Sequence, residues 1–105
     1  MNNLQVMIKI LKILDENFGN EDFDNDVISA EALGIEKGRC EQLLIEMQRS
    51  GLIKGLNIRQ PMNGAYEKIV GEPFPLITKD GMEYLNEINL MLLEENGREY
   101  MEGRE

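Results

Sequence analysis

The sequence predicts an α+β fold in which short helices lead into a β-hairpin and a last helix closes the chain. Three observations carry that reading. Ile28 to Leu56, ISAEALGIEKGRCEQLLIEMQRSGLIKGL, reads as a short helix, a tight turn, a longer amphipathic helix and then a strand. Gln60-Pro61-Met62-Asn63-Gly64 is a turn signal between two apolar stretches, and Asn-Gly is the dipeptide that best tolerates positive φ. Thr78 stands in front of a final run whose apolar residues recur at helical spacing. The order is a helix-turn-helix with a β-hairpin wing plus a C-terminal helix, the plan of a winged helix.

The first helix is expected over Asn3 to Phe18, where Leu4, Met7, Ile8, Leu11, Leu14 and Phe18 keep the i, i+3, i+4, i+7 spacing. Val6, Ile10 and Ile13 add a second apolar face, so this helix is either central or partly covered by another chain. Gly19 to Asp26 is an acidic loop. Asp22, Asp24 and Asp26 match the first three ligand positions of a calcium loop. Val27 then stands where glycine is needed and Leu33 where a bidentate glutamate is needed, so a solvated loop without metal is expected.

Ser29 caps a short helix over Ala30 to Leu33, which Gly34 ends, and Ile35 anchors the turn. The next helix spans about Glu36 to Ser50. Cys40, Leu43, Leu44 and Met47 share its core face. Gly38, Gln42, Ile45 and Arg49 occupy the opposite face, flanked by Glu41 and Glu46. Leu52 to Arg59 and Ala65 to Val70 read as the two strands of the wing, with Leu76-Ile77 as a brief third pairing. The last helix is expected from Lys79 to about Glu95, with Met82, Leu85, Ile88 and Leu92 as its core stripe and Leu90, Met91 and Leu93 widening the apolar surface. The domain is thus residues 1–96, followed by a polar tail over residues 97–105 expected to fray.

A chain of 105 residues can bury one core without staples. It has one cysteine, Cys40, and no histidine, which removes the commonest general base and zinc ligand and fits a reducing, cytoplasmic setting. Cys40 sits among apolar positions and reads as a small core residue. Gly34-Ile35-Glu36-Lys37-Gly38 lacks the spacing of a phosphate loop, and no apolar run is long enough to span a membrane. An enzyme is not expected, nor any cofactor. Net charge is −9, yet Lys37 to Lys68 holds six cations (Lys37, Arg39, Arg49, Lys54, Arg59 and Lys68) against Glu41, Glu46 and Glu67. The longer helix and the wing form the one basic stretch of an acidic chain.

GLIKGLNI (Gly51 to Ile58) and EPFPLITKDGMEYLNE (Glu72 to Glu87) resemble the YjcQ-like family of small bacterial and phage-associated winged-helix proteins. The most family-like piece is Ile77-Thr78-Lys79-Asp80-Gly81 followed by Glu83-Tyr84-Leu85. The resemblance implies the winged-helix fold and no catalytic residues.

Two functions follow. The first is a small DNA-binding protein, a phage or prophage-type transcriptional regulator, with double-stranded DNA as partner. Gln42 would read adenine, Arg39 or Arg49 would meet phosphate or guanine, Arg59, Asn63 and Lys68 on the wing would hold the backbone or the minor groove, and Lys37 is a further DNA-contact candidate on the helix. Glu41 and Glu46 oppose this reading. The alternative is a non-catalytic protein-interaction module of the same fold whose acidic surface docks on a protein partner. Both are compatible with a homodimer through the first and last helices, whose apolar surfaces exceed one face.

Overall fold

The computed structural model describes residues 2–62, 66–72 and 74–102, with side chains as far as residue 91 in the last helix. Helix α1 (Asn3–Glu16) opens with a reciprocal cap, in which the Gln5 amide donates to Asn2 Oδ1 at 2.8 Å and the Asn2 amide donates to Gln5 Oε1 at 2.9 Å. A 3-10 turn over Asn25–Ile28 follows, then α2 (Ala30–Leu33) and α3 (Lys37–Arg49). Strands β1 (Ile53–Lys54), β2 (Asn57–Arg59), β3 (Lys68–Val70) and β4 (Leu76–Ile77) lead to α4 (Lys79–Glu102). The fold is α+β with small antiparallel strand pairs, in the winged-helix-like arrangement that the sequence predicts.

One core joins α1, α3, β1, β4 and α4, with Val6, Ile10, Leu11, Met47, Ile53 and Ile77 its most deeply buried side chains. Here the structure corrects the reading of α1. Val6 and Ile10 of the expected second face are as deeply buried as Leu11 of the expected stripe, all at 0 % exposure, while Leu4 and Phe18 of that stripe are 49 % and 61 % exposed. The reason is that α1 is central. It touches α3, α4, β4 and the 3-10 turn, so its supposed second face is covered within one chain.

A second correction concerns the strand expected over Leu52 to Arg59. It is two strands in two separate sheets. β1 pairs with β4, matching Ile53 to Ile77, and β2 pairs with β3, matching Ile58 to Ile69. The break falls at Gly55, with φ at +98° and a backbone so close to Phe74 that a Cβ would lie 2.2 Å from its carbonyl oxygen. Gln48 of α3 fixes the break from the other side. Its Oε1 accepts from the Leu56 amide at 2.8 Å and its Nε2 donates to the Leu56 carbonyl at 3.0 Å.

The end of α3 is clasped to the start of α4. The Thr78 hydroxyl lies 2.5 Å from the Gly51 carbonyl oxygen and 3.0 Å from that of Leu52, and its oxygen accepts from the Gly81 amide at 3.0 Å. The Thr78 amide donates to Leu52 as well. Gly81 must be glycine because a Cβ there would meet the Leu52 carbonyl oxygen at 2.2 Å. The threonine and glycine of the family-like segment therefore act together, setting the angle at which α4 leaves β4 and crosses α1. In the acidic loop, Asp24 Oδ1 accepts from the Asp26 amide at 2.9 Å and caps the 3-10 turn. No helix among the described residues is long and apolar enough to cross a membrane.

Candidate nucleic-acid interface

Helix α3 and the hairpin β2–β3 stand side by side. The pleat of the hairpin is read directly from its exposure: Ile58 and Ile69 face inward and pack against the core, while Asn57, Arg59, Lys68 and Val70 are exposed. Arg59 and Lys68 are register partners, so two cations stand directly opposite each other on the outward face. Among the described residues neither has a carboxylate within ion-pair distance.

An open groove of about 670 Å³ runs between this face and the first two turns of α3, lined by Glu36, Lys37, Gly38, Arg39, Glu41, Gln42, Tyr66 and Lys68. It gathers Lys37, Arg39, Gln42 and Lys68 of the expected site residues. Lys37 is exposed on the first turn. Arg39 is half-buried, and its Nε donates to Asn3 Oδ1 at 2.7 Å, which ties the groove to the start of α1. Glu41, expected to repel phosphate, has a partner: its Oε2 accepts from the Ile69 amide at 3.4 Å. Glu36 remains exposed at the groove mouth.

The other flank of α3 differs from expectation. Ile45, assigned to the outward face, is buried to 3 % exposure and lies outside the main core. The cause is β3, which packs along this flank of the helix. Gln42 is half-buried and its Nε2 donates to the Glu67 carbonyl at 3.0 Å. Arg49 pairs with the Glu67 carboxylate. Gln42 and Arg49 thus serve to hold the wing in this conformation. Asn63 lies outside the described residues. Glu67 and Tyr66 were not picked out from the sequence. The available signal for Glu67 was its being the one acid between Glu46 and Glu72, inside the basic stretch.

Cys40 faces the core side of α3, 4 % exposed, with its sulfur 3.6 Å from the Ile28 carbonyl oxygen. Burial pushes its thiol above the ordinary 9.0, and Glu41 adds in the same direction. The thiolate needed for nucleophilic chemistry is therefore disfavoured.

No curated protein and no solved structure matches the chain. A family does match, described as YjcQ protein, over residues 8–96. The matched stretch takes in the α3 helix, the wing and the Thr78–Gly81 clasp, and the chain belongs to the YjcQ family.

Proposed function

We propose that this chain is a small non-catalytic DNA-binding protein of the transcriptional-regulator kind, which grips duplex DNA between the wing and the first turns of α3. The observation that carries the reading is the Arg59–Lys68 pair. Like charges directly opposite on a two-stranded ribbon destabilise it in the free chain. A phosphate set between them removes that repulsion, so the pair suits a polyanion. Lys37 stands across the groove on the first turn of α3, where the helix dipole adds positive potential. The acidic remainder of the chain restrains nonspecific attraction and confines DNA to this one face.

A second reading, a module that docks on a basic protein surface, is favoured by the far end of the molecule. There α4 exposes Glu83 and Glu87 together with Leu90 at 54 % and Met91 at 62 %. The two readings use different faces and one experiment separates them. Duplex DNA is titrated with protein at several salt concentrations, alongside the Arg59→Glu/Lys68→Glu variant. The DNA reading expects salt-sensitive binding that the variant loses while its thermal melt is retained. Absence of binding by the wild type at micromolar protein and low salt favours the docking module.

A further inference from the structure

Glu67 contacts α3 twice, and through different atoms. Its backbone carbonyl accepts from Gln42 and its carboxylate pairs with Arg49. Its side chain is 17 % exposed against 59 % for Arg49, so the carboxylate is drawn inward while the guanidinium reaches out to it. Ile45, between Gln42 and Arg49 on the helix, is buried along the same flank. No other acid occurs from residue 47 to residue 71. The chain therefore places its one wing carboxylate on Arg49 of α3.

We propose that Glu67 is an internal phosphate mimic, a latch that occupies Arg49 in the free protein and that DNA must displace to use it. The proposal rests on the DNA reading above and concerns the regulation of that site. In the free chain the N-terminal half of α3 and the outward face of the wing are open to a duplex, while Arg49 is neutralised. A phosphate oxygen that takes the place of the Glu67 carboxylate leaves Arg49 still paired, so the exchange is between two like anions. The released carboxylate repels the incoming backbone until the wing moves away from α3. Binding is accordingly weaker, and less dependent on salt, than the full set of cations would give.

Glu67→Gln tests this cleanly, because it removes the charge and keeps the backbone carbonyl that Gln42 uses. Binding to one fluorescent duplex is measured against salt for the wild type, Glu67→Gln, Arg49→Gln, the double variant, and Glu72→Gln as a control that removes an exposed wing-side acid. The latch predicts that Glu67→Gln binds about three- to tenfold tighter, with a salt slope steeper by about 0.9 because Arg49 is free to hold one more phosphate. It also predicts that this increase in affinity exceeds that of Glu72→Gln and disappears in the Arg49→Gln background. Binding by Glu67→Gln alone, with a silent wild type, overturns the latch as stated, because the open groove holds a duplex before Arg49 is freed. If the wild type binds and Glu67→Gln binds no more tightly than Glu72→Gln, or stays tighter without Arg49, the latch is overturned and the DNA reading stands. If neither wild type nor Glu67→Gln binds any duplex at low salt, both fall. Thermal melts check that each variant is folded.

Discussion

Gly81 and Gly38 are both helical glycines, and their surroundings differ completely. A Cβ on Gly81 would sit 2.2 Å from the Leu52 carbonyl oxygen and 2.8 Å from Ile77 Cγ1, against backbone that cannot yield, whereas one on Gly38 would meet nothing within 4 Å. Urea denaturation should therefore give opposite signs for the same substitution. Gly81→Ala is expected to lose about 2 kcal/mol or more, as overpacked sites do, and Gly38→Ala to gain about 0.5–1 kcal/mol from helix propensity. Equal effects at the two sites would contradict the close approach of α4 to the end of α3. Cys40 makes a second prediction at this scale. Its thiol is raised above 9.0 in the folded chain by burial first and by Glu41 second. A raised pKa means that the folded state holds the proton more tightly than the unfolded state. Its contribution is complete below the unfolded pKa and is lost as pH climbs through the folded value. The stability advantage of wild type over Cys40→Ala should thus shrink as pH rises above about 9, measured by urea midpoints across the alkaline range. An advantage that grows with pH would mean the thiolate is the favoured form.

Among the described residues, Glu41, Gln42, Arg49 and Gln48 of α3 all bond to the hairpin or to the residue that leads into it. Gln48 makes two bonds to the backbone of Leu56, a residue with 7 % exposure, and so closes the gap between β1 and β2. Gln48→Ala leaves both backbone groups without that partner and is expected to cost about 1–3 kcal/mol. Faster hydrogen exchange at the Leu56 amide should accompany the loss. An unchanged exchange rate would show that the break between the strands is fixed by Gly55 alone. Much of this was legible beforehand. Helical spacing located α3, and Ser29 and Gly34 bounded α2, while the Asn63-Gly64 turn signal lies outside the described residues. The errors have a common physical source. A run such as Leu52 to Arg59 shows β-propensity throughout, but its split depends on Phe74 and Gln48, which are distant or lie on another element. In α1, a helix apolar on two faces does not say which face lies deepest; its position among α3, α4 and β4 decides that. The site was legible as a list of cations. That Arg49 and Gln42 are engaged by Glu67 depends on how the hairpin folds back, which local spacing cannot express.

At the scale of the molecule, the buried Val6 and Ile10 remove half the case for a dimer, because α1 finds its cover within one chain. The dimer now rests on α4, where Leu90 and Met91 are exposed; Leu93 lies outside the described side chains. If α4 pairs with its mate, sedimentation equilibrium at tens of micromolar returns the mass of two chains, and Leu90→Glu with Met91→Glu returns that of one. A wild type with the mass of one chain contradicts the dimer. The charge layout carries the larger consequence. A chain of net −9 places Lys37 and Lys68 around one groove and sets Arg59 directly opposite Lys68 across the ribbon, neither of the opposed pair with a carboxylate partner among the described residues. The titration of duplex DNA against salt tests this most directly. With three exposed cations on phosphates, the slope of log affinity against log salt is expected near about −3, falling toward about −1 for Arg59→Glu/Lys68→Glu. Binding that is absent at low salt, or indifferent to salt and to that variant, would contradict a phosphate-holding groove.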